Sequence, residues 1–368
     1  MRIEHLHLRD FRNYREFDLA PTQNLTVLVG PNGAGKTNVI EAIQFVSTGR
    51  SFRNPKTTDL VLWGAPQAEV AITSSCDGRD HSSRVLLTTE GLCSWSLDGQ
   101  QVRRSALAGK IAPVVLFVPD DLLLAKGPAE QRRSTLDALG EQLSATYGSL
   151  RRDYQKIVRQ RNALLRDGCT ALLLESLDEQ LVDAGTRLYT HRRGLTGRLS
   201  GAMTDAYAAL ADGEALSITY DDRCGVGVGD PVVDIPIDDV RAKLTAELAR
   251  RQSEELARRQ TLVGPHRDDV TLSIDGRPAR SFASQGQQRT VALAWKLAEV
   301  TIIEALLGTS PVLLLDDVMS ELDESRRSAL AAITRDDIQT LMTATDTTGL
   351  DDSLLDHAAV VTIGGESG

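Results

Sequence analysis

Apolar and polar residues alternate along Arg2–Leu8, the period-two pattern of a half-buried strand. Leu25–Val29 (LTVLV) is a short continuous apolar run, which predicts a buried strand. A glycine-rich turn follows, and Asn38–Phe45 then changes to helical spacing. Trp95–Leu97, the pair Asp98-Gly99 and Gln101-Val102 predict a β-hairpin. Val114–Val118 (VVLFV), closed by Pro119, predicts another buried strand.

From about Pro128 to Gln260 the pattern is mainly helical and rich in arginine. Leu177, Leu181, Ala184 and Leu188 fall at 4-3-4 spacing, a seam that packs against another helix. Asp167-Gly168 is expected to turn the chain between two antiparallel helices. Val240, Leu244 and Leu248 mark a further helix. It opens with Asp238 and Asp239 and closes with Arg250, Arg251, Arg258 and Arg259, a polarity that suits the helix dipole. Ser217–Tyr220 and the glycine-rich Cys224–Gly229 interrupt the helices.

Strand and turn patterns return from Thr261. Val270–Ile274 with Asp275-Gly276 reads as half a hairpin, and Pro311–Leu315 (PVLLL) as a buried strand. Between them, Gln287–Leu307 is expected to be an amphipathic helix with Val291, Ala294, Leu297, Ala298, Ile302 and Ala305 on one face. The tail from Gly364 is expected to fray. The predicted organisation is an α/β core at 1–125 and 261–368, split by a helical insert at 126–260.

Length and composition are those of a globular protein: 368 residues, 41% hydrophobic, 25% charged. The formal charge of −10 argues against a generally cationic nucleic-acid coat protein, but a local basic face can sit on an acidic molecule. Cys76, Cys93, Cys169 and Cys224 are widely spaced and give no zinc-ligand pattern, so thiols in a reducing compartment are expected. No run approaches the ~20 apolar residues of a membrane span, and no signal-peptide pattern is present, so a cytoplasmic location is expected.

The chemistry starts at Gly30, Pro31, Asn32, Gly33, Ala34, Gly35, Lys36 and Thr37, which fit GxxxxGK[ST] between a predicted strand and a predicted helix. Glycines let backbone N–H groups approach phosphate oxygens, and the helix start adds a favourable dipole. Lys36 is expected to reach the β- and γ-phosphates of ATP, and the Thr37 hydroxyl to ligate Mg²⁺. A second element is the apolar strand that ends in Asp316 and Asp317. Asp316 is expected to hold Mg²⁺ through water, and Asp317 to orient or deprotonate the attacking water. ABC-type ATPases usually carry a glutamate at the latter position. The shorter aspartate predicts slow hydrolysis, as in a switch. A third element, Ser284, Gln285, Gly286, Gln287 and Gln288, resembles the LSGGQ signature of ABC-type ATPases and precedes the predicted helix. Ser284 could equally be a plain helix cap. The ABC resemblance implies that Ser284 and Gln287 face the γ-phosphate held by a second copy, so that ATP joins two subunits. Ser320–Asp323 sits where that family carries its dimer-contact loop.

More ordered blocks narrow the resemblance. They are Leu8–Tyr14 (LRDFRNY), Gly30–Asn38, Gly49–Arg53 (GRSFR), Glu130–Arg133 (EQRR), Gln160–Leu165 (QRNALL), Val263–Asp269 (VGPHRDD), Ser284–Thr290 and Asp316–Asp323. Together they resemble the RecF family of bacterial recombination mediators over nearly the whole chain. The resemblance implies a P-loop ABC-type ATPase head, SMC-like, with an inserted α-helical arm lobe. It also implies ATP-dependent dimerisation on DNA, help in placing recombinase at single-strand gaps, SOS induction, and RecR and RecO as partners. Departures are Ser134 where an aromatic is usual, and Thr343-Ala-Thr-Asp346, one hydroxyl short of the family's threonine-rich strand end.

Basic residues cluster in the predicted arm: Arg151, Arg152, Lys156, Arg159, Arg161 and Arg166, then Arg187, Arg192, Arg193 and Arg198. Helical spacing places Arg152, Lys156 and Arg159 on one face as candidate DNA contacts, against the plain reading of a solvated surface. Aromatics are only 4% and none interleaves with these runs, which favours phosphate contact with duplex over base stacking with single strands. Two other readings share the phosphate loop. A transporter ATPase subunit lacks the arginine-rich insert and carries a switch histidine. A chromosome-organising SMC relative needs far longer heptad runs.

Overall fold

The computed structural model describes residues 1–76, 78–104, 111–168, 171–211, 213–223, 225, 235–324, 326–328, 330, 338–347 and 355–364. Cys169, Cys224, most of the glycine-rich stretch after it and the tail from Gly365 lie outside the described residues, as does the Cys76 side chain. In chain order the strands and helices are β1 (Arg2–Phe11), β2 (Tyr14–Leu19), β3 (Leu25–Val29), α1 (Lys36–Thr48), β4 (Gln67–Cys76), β5 (Arg79–Thr88), β6 (Cys93–Leu97), β7 (Gln100–Val102) and β8 (Val114–Phe117). Then come α2 (Ala129–Leu143), α3 (Ala145–Asp167), α4 (Ala171–Leu210), β9 (Leu216–Asp221), α5 (Ile237–Arg258), β10 (Asp269–Ile274), β11 (Arg277–Pro278), α6 (Ala279–Phe282) and α7 (Gln285–Leu307). The chain closes with β12 (Val312–Asp316), β13 (Thr340–Ala344) and β14 (Ala358–Thr362).

Contacts divide the chain into two units, Met1–Leu123 with Glu299–Gly368, and Leu124–Ala298. The first holds two sheets. One is antiparallel, in the order β2-β1-β4-β5-β6-β7, and the other is parallel, in the order β14-β3-β13-β12-β8. Three of the parallel strands, β3, β8 and β12, are the continuous apolar runs of the sequence, as strands covered on both faces must be. Helix α1 buries Val39, Ile40, Ile43 and Val46 in a core shared with Leu6 and Leu8 of β1, Val70 of β4, Val312 and Leu314 of β12 and Leu341 of β13. Gln339 ties the sheets together: its amide donates to Ile3 O at 2.8 Å and accepts from Ile3 N at 2.7 Å. At the β6–β7 turn, Asp98 and Gly99 take φ of 50° and 78°, the left-handed pair that a tight hairpin requires.

The second unit packs α2–α5 with the small sheet β11-β10-β9. Residues from 261, expected from sequence to resume the core, make their contacts here up to Ala298. The cause is pairing: β10 runs antiparallel to β9 from Asp269↔Asp221 to Ile274↔Leu216, and Arg132 of α2 holds Asp269. The predicted turn at Asp167-Gly168 falls on the end of α3, with Asp167 its last residue and Gly168 its C-cap, and Leu181, Ala184 and Leu188 of the seam are buried. Helix α7 differs from its expected one-sided pattern. Residues 291–296 and 298–300 are all buried, Lys296 and Glu299 among them, whereas Ala305 is exposed. A helix apolar most of the way round is an interior helix. Among the described residues, no helix is long and apolar enough to cross a membrane.

Candidate nucleotide-binding site

Helix α1 begins at Lys36, directly above the carboxyl end of β3. Its N-cap, Gly35, has φ 111°, and no side chain caps the helix start. The N–H groups of Lys36 and Thr37, at the uncapped start of the helix, therefore form an anion-ready terminus. Each glycine has its own reason. Gly33 (φ 84°) and Gly35 occupy backbone that L residues rarely adopt, and a Cβ on Gly35 would fall 2.6 Å from the Asn13 amide. A Cβ on Gly30 would fall 2.2 Å from the carbonyl oxygen of Ile363. The Lys36 ammonium lies across the loop, donating to Gly30 O at 2.6 Å and Pro31 O at 3.0 Å. Its charge is thus held within the ring of residues 30–36.

Thr37 and the end of β12 meet above the parallel sheet. Thr37 Oγ1 donates to Asp316 Oδ1 at 2.9 Å, and Thr343 Oγ1 of β13 donates to the same oxygen at 3.0 Å. Thr343 Oγ1 also accepts from Asp317 N at 2.9 Å. Burial raises the Asp316 pKa, opposed by the two hydroxyls and by the charge of Arg53, while Asp317 raises it further. A carboxylate costly to keep ionised, beside a hydroxyl and below a phosphate loop, is a donor set that fits Mg²⁺. Asp317 is exposed at φ 54°, a bend that turns it away from the β12 line. Ser320 Oγ donates back to Asp317 O at 3.0 Å.

Sequence reasoning missed the supports of this site. Glu41, fully buried on α1, takes two bonds from Arg12, at 2.9 and 2.6 Å, and one from Ser51. Arg53 lies 3.6 Å from Glu41 and donates to Asn38 Oδ1 at 2.8 Å. Asn38 donates to Asn13, and Asn13 donates to Ala34 O in the phosphate loop at 3.1 Å. The LRDFRNY and GRSFR blocks are therefore braces of the loop. Their signal was present as motifs, but the buried acid that joins them was not.

Ser284 and Gln287 lie in the other unit. Ser284 N donates to Gln287 Oε1 at 2.8 Å, and Gln287 N donates to Ser284 Oγ at 3.2 Å, a reciprocal capping box at the start of α7. The Ser284 side chain is exposed and accepts in this pair, so its proton remains available to an oxygen ligand. The Gln287 amide is committed at both ends, because its nitrogen donates to Glu214 Oε1 at 2.7 Å. Glu214 in turn accepts from Tyr207 of α4 at 2.7 Å.

Arg152, Lys156 and Arg159 are all exposed on α3, as their spacing predicts. Of the other basic residues in these runs, Arg166, Arg187 and Arg198 are exposed, whereas Arg151, Arg161, Arg192 and Arg193 are buried. Arg151 and Arg192 both pair with the buried Asp137, at 2.6 and 2.8 Å. Arg161 is fully buried against Glu255 at 2.7 Å and Asp178 at 2.6 Å, and Arg193 is also buried. The EQRR, QRN and PHRDD blocks close on one another. Arg132 chelates Asp269, Asn162 accepts from Thr261 N at 2.7 Å, and Tyr220 donates to Asp268 at 2.7 Å. Burial pushes Asp268 up to about 7 and His266 down to about 4.

Residues 2–362 match the family model described as the RecF/RecN/SMC N terminal domain. A protein of Symbiobacterium thermophilum named DNA replication and repair protein RecF is 42% identical over 351 residues, 94% of this chain and 92% of that protein. The chain belongs to the RecF family. A solved structure described as the recombination mediator protein RecF-ATP in the RecFOR pathway matches with a TM-score of 0.87 and 30% identity, over 95% of this chain and 93% of that one. The Smc head of Pyrococcus furiosus, at 17% identity and TM-score 0.53 over 98% and 92% of the two chains, shares the fold. The α/β architecture is thus the fold of an SMC-like head.

Proposed function

We propose that this chain is an ATP-controlled DNA-binding switch of recombinational repair. The observation that carries the reading is the convergence of an uncapped α1, Lys36 and the Thr37–Asp316 pair at the carboxyl end of one parallel sheet. The solved RecF-ATP neighbour supports ATP as the ligand. Residues 30–37 cradle the phosphates, Lys36 neutralises the β- and γ-oxygens, and Thr37 with Asp316 positions the metal. Mg²⁺, when bound, neutralises charge on those oxygens. Asp317 orients the attacking water, and the loss of one methylene relative to glutamate slows that step. Ser284 of one copy donates to the γ-phosphate held by the other, so ATP closes a homodimer. Gln287 acts through the cap it gives Ser284.

DNA is held by its phosphates, with Arg152, Lys156 and Arg159 as contacts, so binding weakens with salt. Family membership supports a role beside RecR- and RecO-type mediators in placing recombinase at single-strand gaps and in SOS induction. Light scattering of the full chain, with and without Mg·ATP and gapped duplex, tests the reading. A mass that doubles only with ATP supports it. A chain that stays single with saturating Mg·ATP and DNA overturns it.

A further inference from the structure

A second cluster of ligating side chains lies on the β1–β2 hairpin. His5 and His7 alternate on β1, and Glu16 and Asp18 alternate on β2; the register pairs His7 with Asp18 and Arg9 with Glu16. Period-two geometry puts all four on the same solvent face. His5 Nε2 and His7 Nδ1 each lie 3.1 Å from Asp18 Oδ1. His7, Glu16 and Asp18 each offer a ligand atom within 4.8 Å of the others. Arg9, opposite Glu16, sends its guanidinium to Glu69 at 3.0 Å.

Zinc held tetrahedrally by nitrogen and oxygen at about 2.0–2.2 Å separates its ligand atoms by roughly 3.3–3.6 Å. Asp18 Oδ1 lies 3.1 Å from a ring nitrogen of each histidine, slightly under that separation, so small rotations of the side chains would close the set. The backbone beneath it is fixed, because β1 is paired on both edges, to β2 and to β4. Two imidazoles with carboxylates select a transition metal over Mg²⁺ or Ca²⁺. We propose that His7, Glu16 and Asp18, completed by His5 or water, bind one divalent transition-metal ion of the zinc class. The ion would lock β2, the edge strand, to β1. The turn of the same hairpin carries Asn13, which holds Ala34 of the phosphate loop, so the metal would stiffen a brace of the nucleotide site.

The test is calorimetric titration of zinc chloride into the tag-free, chelator-treated full chain at neutral pH. A Cys93→Ser background removes the thiol that is exposed among the described residues as a competing ligand. The expected result is one Zn²⁺ per chain, weakened about tenfold or more by His7→Ala and by Asp18→Asn. His5→Ala, a third substitution on the solvent face of the hairpin, should weaken binding without affecting the fold. Absence of saturable binding, or affinity unchanged in His7→Ala and Asp18→Asn, overturns the proposal.

Discussion

Thr37 and Asp316 lie 279 positions apart in sequence, yet their side chains share a 2.9 Å hydrogen bond. The bond fixes where the start of α1 meets the end of β12, and it joins the two oxygens expected to hold Mg²⁺. Asp316→Asn keeps the shape and the acceptor for Thr37 but removes the charge that a hard cation needs. Hydrolysis in Mg·ATP should fall to background, while ATP binding without metal should change little. Turnover assays beside fluorescent-nucleotide titrations with and without Mg²⁺ check both. An Asp316→Asn protein that hydrolyses at the wild-type rate places the metal elsewhere.

Lys36 carries the next prediction. Its ammonium is buried over the loop carbonyls of Gly30 and Pro31, where a triphosphate would lie. Lys36→Ala deletes a charged donor, a loss of about 1.5–3 kcal/mol, or roughly 10- to 150-fold in ATP affinity. Equilibrium binding measures the first effect. Light scattering should show that ATP no longer changes the mass. Asp317→Asn should do the opposite, slowing turnover and prolonging the ATP-bound dimer.

Ser284 separates nucleotide binding from dimerisation. Because its hydroxyl caps α7 and lies in a different unit from the phosphate loop, Ser284→Arg should leave ATP affinity of the single chain within about twofold, since surface changes away from a site have small effects. The same substitution should block closure of two copies by steric bulk. Glu214→Ala is a milder probe of the same place. It frees the Gln287 amide, so dimerisation should weaken while the unliganded fold persists. ATP-dependent mass doubling by Ser284→Arg, at wild-type concentrations, removes Ser284 from the interface.

The head was legible because its chemistry is local. Strand, glycine turn and helix start are neighbours in sequence, and the aspartates end an apolar run. The helical unit was legible only in outline. Arg151, Arg161 and Arg192 read only as members of the arm's basic clusters, beside the face of Arg152, Lys156 and Arg159, because spacing tells which residues share a face but not what lies opposite the rest. Their burial is decided by Asp137, Glu255 and Asp178, acids that carry no sequence signal of their own. The one-sided reading of α7 failed for a related reason. Lys296 and Glu299 made the helix look half-solvated, yet both are buried. Arg12 and Arg53 belonged to recognisable blocks, but only the fold brings both to Glu41.

That buried network makes stability depend on pH in a way two side chains dissect. Asp268 is raised to about 7 by burial, with Tyr220 donating to it. Its unfolded value is near 3.9, so between about 4 and 7 the folded state binds the extra proton. Stability from this group is therefore complete at low pH and is lost as pH rises through about 7. His266 is lowered to about 4, also by burial, with its ring bonded to Tyr154 at 2.7 Å. Here the unfolded state binds the extra proton, so stability is complete above about 6.5 and is lost as pH falls towards 4. In the wild type the two slopes oppose each other between about 4 and 6.5. Asp268→Asn keeps an acceptor for Tyr220 but removes the first slope and exposes the second. The difference in urea midpoint, variant minus wild type, should rise steadily from acid to neutral pH and level off above it. A difference that stays flat across that range means Asp268 remains ionised in the folded protein, and the buried cluster is then held by full charges throughout.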